Sequence, residues 1–109
     1  MAGKQHLKLV VYLPKTHLDT TLDALKKLGI GANGHYEGRA FLTFGHGTWI
    51  ANKGAKPFKG RLNKREMAQE VKIETTCEKA KLKEAIKVIR SIHPYELPEI
   101  EAYELHDGD

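Results

Sequence analysis

Residues 71–92, VKIETTCEKAKLKEAIKVIRSI, change their hydrophobic period part-way along. Val71, Ile73 and Thr75 alternate with Lys72, Glu74 and Thr76, the period of two expected of a strand with one buried face. From Leu82 onward, Leu82, Ala85, Ile86, Ile89 and Ile92 recur at intervals of three and four, which sets them along one side of a helix. Thr75-x-x-Glu78 offers a capping box between the two elements. Pro94 disfavours helical geometry at His93 and so ends the helix. Beyond it, residues 100–105 alternate acids with Ile100, Ala102 and, offset, Tyr103, which suits a final strand. Strand, helix, strand is half of a fold.

The same unit stands at the N-terminal end. In residues 7–13, Leu7, Leu9, Val11 and Leu13 fall on one face and Val10 and Tyr12 on the other, a central strand that Pro14 ends. Thr16 and Asp19 resemble a capping box, and Leu18, Leu22, Leu25 and Leu28 predict a helix that stops at Gly29. Gly29-Ile30-Gly31-Ala32-Asn33-Gly34 is formally G-x-G-x-x-G. A dinucleotide fingerprint needs a strand before and a helix after, and here the order is inverted, so the glycines read as a helix cap and a turn with positive φ. Residues 36–44 form the next strand candidate. Gly45-His46-Gly47 has hairpin-turn chemistry, with Thr48-Trp49-Ile50 returning as a short strand. Residues 52–64 carry Gly, Pro and Lys without periodicity and read as a long loop.

The order β-α-β-(β)-β-α-β predicts an α+β, ferredoxin-like (βαββαβ) sandwich with an extra short hairpin strand and a long basic loop. Both helices cover one face of an antiparallel sheet. The other face must meet water or another copy of the chain, and Val10 and Tyr12 on it favour a homo-oligomer.

Composition limits the classes of function. The 109 residues, 40% hydrophobic and 29% charged, provide for one core and a single domain over residues 1–109. The sequence has no apolar run long enough for a membrane span, and MAGKQH lacks the apolar stretch of a signal peptide. One cysteine, Cys77, allows neither an internal disulfide nor a cysteine zinc cluster, so the expected location is cytoplasmic. The net charge of +4 is unevenly spread. Residues 50–66 hold Lys53, Lys56, Lys59, Arg61, Lys64 and Arg65 against one acid, while residues 96–109 hold Glu96, Glu99, Glu101, Glu104, Asp107 and Asp109 and no Lys or Arg. That polarity suits self-association across a subunit seam, or a basic loop over an anion.

Residues 31–60 contain Gly34-His35-Tyr36, Ala40-Phe41, Gly45-His46-Gly47-Thr48-Trp49, Gly54-Ala55-Lys56-Pro57-Phe58 and Gly60, and Glu70-Val71-Lys72-Ile73-Glu74 follows. This succession resembles the insert domain of the Nif-three-like (YqfO) family, whose pattern runs G-N-Y, C-S-F, G-x-G-T-F, G-x-x-P-x-x-G and then an E-x-R-I-E strand. Ser91-Ile92-His93-Pro94-Tyr95-Glu96-Leu97-Pro98-Glu99-Ile100 resembles the H-P-Y-E-x-P-E-I signature of the CutA divalent-cation-tolerance proteins. CutA and its PII-like relatives are trimers of ferredoxin-like subunits, so the resemblance implies that fold and a homotrimer first, a homodimer second. It implies no catalytic activity, because the family's dinuclear metal site belongs to the halves flanking the insert, and this sequence corresponds to the insert standing alone. The sequence departs from the pattern at His35, in place of Asn, and at Arg39-Ala40, in place of Cys-Ser.

Six histidines raise a metal hypothesis, since imidazole readily binds zinc and copper. His35, His46 and His93 lie in the motif segments, with Cys77 and Glu96 as further donors. No sequential ligand spacing joins them, so a Cu or Zn site would be assembled by the fold or between subunits. His46 also reads as a turn residue, and His93 as a group hydrogen-bonded at a helix end. Lys56, Lys59, Arg61 and Lys64, between Gly54 and Gly60 or just beyond, suit a small anionic ligand together with Tyr95. Nucleic acid fits less well. Trp49 and Phe58 offer stacking surfaces, but the acidic C-terminal stretch repels a phosphate backbone. Val10, Tyr12, Trp49 and Tyr95 are expected at the oligomer interface. Cys77 has no base near it in sequence, and Tyr95 and Glu96, between Pro94 and Pro98, read as turn-shaping residues. The expectation is a ligand-responsive or protein-interaction module, regulatory and without catalytic activity. Divalent metal binding linked to cation tolerance is the alternative, and hydrolase chemistry with Cys77 or His93 a third.

Overall fold

The computed structural model describes residues 5–106. Its elements are β1 (His6–Pro14), α1 (Leu18–Lys27), β2 (Phe41–Ile50), β3 (Arg65–Glu78), α2 (Leu82–Ile92) and β4 (Glu99–Glu104). The strands form one antiparallel sheet in the order β2-β3-β1-β4. This is the ferredoxin-like arrangement expected from the two strand–helix–strand halves. Asp107 and Asp109 of the acidic stretch lie outside the described residues. Among the described residues no helix is long and apolar enough to cross a membrane.

Register explains where the core sits. Val11 pairs with Ile73 on β3 and Ile100 on β4, and Leu13 pairs with Val71, so these side chains share one face. Leu25 and Ile30 join them from the end of α1, and Ala85 and Ile89 from α2. Each fully buried Leu, Ile or Val side chain here contributes about 1.5–3 kcal/mol. The α1 helix ends in a Schellman motif: the Ile30 N–H donates to Leu25 O (3.1 Å), the Gly29 N–H to Lys26 O (2.9 Å), and Gly29 takes φ +79°. Burial of Ile30 against Leu25 completes it. The glycine-rich stretch is thus a cap and a turn, as its inverted context required.

Several local expectations are corrected. The Gly45-His46-Gly47 segment does not turn. It pairs with Glu70, Gln69 and Ala68 inside a continuous β2, so the extra hairpin strand does not exist. Tyr36 lies outside β2 and makes only an isolated bridge with Asn33. Strand β3 begins at Arg65 and not Val71. Its first part alternates only half-buried and exposed positions, so no apolar period marks it. Neither capping box forms. Thr75 lies in β3 and its hydroxyl donates to Arg39 O (2.7 Å), Thr16 Oγ1 bonds His17 Nδ1 (2.8 Å), and a short 3₁₀ turn leads into each helix instead. Val10, with Glu74 and Glu101 opposite it on the flanking strands, is buried within the single chain at 2% exposure. The apolar surface on that side of the sheet comes instead from half-buried Tyr12 and from Phe41, 69% exposed.

The shape is extended. Its axes measure 50 × 25 × 21 Å and its radius of gyration is 15.4 Å, against about 13 Å for a compact chain of this length. The cause lies in the pairing. Strand β1 stops at Pro14 opposite Glu70, while β2 and the first part of β3 continue as a two-stranded ribbon, His46–Ile50 against Arg65–Gln69.

The turn after α1 provides a test. Gly31 has φ +85°, and a Cβ there would fall 2.5 Å from Arg39 O, whereas Gly34 has φ +59° and open space around it. Gly31→Ala is expected to cost about 1–3 kcal/mol from backbone strain, and more from the contact. Gly34→Ala should cost distinctly less. Urea denaturation of both variants showing equal losses would contradict the close approach of residues 31 and 39.

Candidate functional site

The candidate site lies at the step where β1 ends and the ribbon goes on. Two segments wall it. One is the long loop after β2, which returns to the ribbon through the Asn63 N–H donating to Ala51 O (2.6 Å), with Gly54, Gly60 and Asn63 at positive φ. The other is the turn after α2, carrying His93, Pro94, Tyr95 and Glu96. The Lys56 N–H donates to Glu96 Oε1 (2.9 Å) and ties the two walls together. The basic loop and the acidic stretch therefore meet within one chain.

Between these walls is a cleft of 510 Å³. The aromatic residues Tyr12, Trp49, Phe58 and Tyr95 line it, together with the acidic residues Glu70, Glu96 and Glu99. The Tyr95 hydroxyl donates to Glu70 Oε2 (2.7 Å). Burial, and then the bond to Glu70, push the Tyr95 phenol well above its ordinary pKa, so it remains a donor throughout the physiological range. Gly47 makes room for this pair. The Glu70 carboxylate occupies the space that a Cβ at residue 47 would fill.

Behind Tyr95, His93 is buried at 8% exposure. Its Nδ1 accepts the Tyr95 N–H (3.2 Å), which places the proton on Nε2, where it donates to Tyr12 O (2.7 Å). Burial holds its pKa below the ordinary imidazole value, against the raising effect of the Tyr12 carbonyl. The ring is thus a neutral brace that fixes the end of α2 to β1.

With this geometry the chain can be set beside known proteins. Residues 59–109 match the family model of the CutA1 divalent ion tolerance protein. The protein named "GTP cyclohydrolase 1 type 2 homolog" from Halalkalibacterium halodurans is 36% identical over 98 residues, covering 90% of this chain and 26% of that protein. The structure of a Bacillus cereus protein related to NIF3 superposes with a TM-score of 0.83 at 29% identity, covering 98% of this chain and 27% of the other. The chain resembles the Nif-three-like and CutA proteins. CutA1 from Ehrlichia chaffeensis shares the fold (TM-score 0.73, 14% identity), with 99% of this chain and 88% of the other covered. The chain spans about a quarter of the length of the curated Nif-three-like relatives it matches.

The residues singled out in sequence fare unequally in this CutA-like fold. Tyr12, Trp49 and Tyr95 meet in the cleft, with Lys59 and His46 also on its lining. Lys56 contributes its backbone N–H. Arg61 turns to Glu66, which accepts its N–H at 3.2 Å and lies 3.8 Å from its Nε. Lys64 is exposed and off the cleft. His35 is exposed in the turn after α1, and both nitrogens of His93 are engaged. The three histidines are not brought together, and among the described residues no group of three His, Cys, Asp or Glu donors could hold a metal ion. Within one chain the described donors therefore assemble no three-ligand cluster for Cu or Zn. Cys77 is buried, its thiol donates to Glu78 O (3.2 Å), and burial raises its pKa. Glu70 belongs to a motif segment, but its pairing with Tyr95 is not readable from the sequence, since the two lie 25 residues apart. The signal that could have found it is Gly47, because a glycine inside a strand marks a close approach.

Two outcomes are expected. Tyr95→Phe removes a charge-assisted hydrogen bond at a half-buried site and should cost about 1 kcal/mol. Gly47→Ala displaces Glu70 and breaks the same bond, so the double variant should lose little more than either single one by urea denaturation, and full additivity would argue against the coupling. His93 has a lowered pKa in the folded state, so the unfolded chain binds the extra proton first. Its contribution to stability is present above the unfolded value of 6.5 and is lost as pH falls through the lower folded value. Thermal melts should therefore show wild type losing more Tm between pH 7 and 5 than His93→Gln, whose amide can serve both bonds.

Proposed function

We propose that the chain is a self-assembling, ligand-responsive regulatory domain of the cytoplasm without catalytic activity of its own, with the aromatic cleft as its ligand site. The observation that carries this reading is the ribbon. A two-stranded ribbon is marginal in water by itself, yet this one exposes Ile50 and Met67, at 47% and 58%. A second copy covering the ribbon removes that apolar surface from water. A homotrimer is the first assembly to expect and a homodimer the second, with Trp49, Tyr12 and Tyr95 near the seam. Burial of Cys77 and the neutral, doubly bonded state of His93 support a non-catalytic role. The match to CutA1 supports divalent-cation binding as the alternative, and the donors would then come from more than one copy.

Light scattering at micromolar concentration should give three chain masses. Met67→Glu, on the exposed ribbon, should shift the protein toward monomer while its circular dichroism stays unchanged. A wild-type monomer would overturn the assembly reading. For the alternative, equilibrium dialysis against copper and zinc with untagged protein should show stoichiometric metal only in the oligomer.

A further inference from the structure

We infer that the cleft binds a small organic ammonium ion. This assignment rests on the ligand-module reading above and specifies the charge of the ligand. Trp49 and Phe58 lie 6.0 and 6.1 Å from the Tyr95 ring centroid at interplanar angles of 50° and 53°, so neither ring is stacked flat on Tyr95. Aromatic faces carry the negative part of the ring quadrupole and attract a cation within about 6 Å of the centroid. One ring of the set already does this, since the Lys72 ammonium lies over Tyr12 at 5.9 Å.

The charges on the lining agree. On the lining Glu70, Glu96 and Glu99 stand against Lys59, and the Lys72 ammonium over Tyr12 is itself paired with Glu74 at 3.8 Å. Glu70 gives one oxygen to Tyr95, and Glu96 one to the Lys56 N–H. Among the described residues Glu99 makes no side-chain hydrogen bond or ion pair. An anion in this cleft would face three carboxylates, and Arg61, the nearest guanidinium in sequence to Lys59, is engaged with Glu66. The rings offer a bare metal ion no donor atoms in their faces, and among the described residues of one chain it finds no group of three donors. An organic ammonium uses both features, its alkyl groups on the rings and its charge beside the carboxylates. The 510 Å³ volume lies within the usual range for small-molecule sites, about 300–1,000 Å³.

The chain's one tryptophan, Trp49, reports on the cleft directly. Its fluorescence should be titrated, on the full chain at fixed salt, with choline and tetramethylammonium, with the neutral choline isostere 3,3-dimethyl-1-butanol, and with ATP. The ammonium ions should give saturable changes, the neutral isostere should bind about tenfold more weakly or worse, and ATP should be silent. Glu70→Gln with Glu99→Gln should weaken choline while leaving the isostere unchanged, and circular dichroism checks that the double variant is folded. Equal binding of choline and its isostere, or binding of ATP alone, would overturn the ammonium assignment and leave the ligand site standing. Silence of all the probes would overturn both.

Discussion

Strand β3 is longer than the sheet that holds it, and most of the molecule follows from that mismatch. Its last nine residues pair with β1 and carry Val71, Ile73, Thr75 and Cys77 into the core. Its first five have only β2 beside them. Pro14 sets the division, because a residue without an N–H cannot continue the ladder. Glu70 sits opposite Pro14 on one side and Gly45 on the other, at the step itself. The long loop and the turn after α2 converge on that step, so the cleft forms at the boundary between a covered sheet and an uncovered ribbon.

The two walls of the cleft differ in kind. The Tyr95 wall is braced through His93 to the backbone of β1, whose side chains are among the most buried in the chain. The opposite wall is a loop held by backbone hydrogen bonds and by exposed polar contacts. Such surface contacts are worth little individually. The loop wall therefore opens at lower cost than the Tyr95 wall, which follows the stability of the core.

The fold was legible where burial imposes a period. Leu7, Leu9, Val11 and Leu13, the stripe of α2, and the glycine after Leu28 all wrote their surroundings into the sequence. The ribbon was not legible, because residues 65–69 and 46–50 alternate only between exposed and half-buried positions and carry no apolar period. The glycines flanking His46 therefore read as a turn, when at Gly47 the missing Cβ serves a neighbour's side chain. The Thr75 capping box failed for a related reason: its hydroxyl is claimed by the backbone carbonyl of Arg39, just before β2, a partner that local spacing does not reveal. At the cleft, the motif residues Trp49 and Tyr95 were found by resemblance. Two of its acids, Glu96 and Glu99, belong to the acidic stretch, while the place of Glu70 in the cleft follows only from the register of β3.

The two edges of the sheet are not equivalent. Strand β4 carries Glu99, Glu101 and Glu104 among its six residues, and like charges set opposite one another across a strand pair are destabilising. Two copies cannot readily join β4 to β4, whereas β2 carries no acidic residue. The charge pattern therefore disfavours β4 against β4 and leaves pairings that involve β2 open. Acidic edges of this sort protect a sheet against indiscriminate edge-to-edge pairing with its own kind.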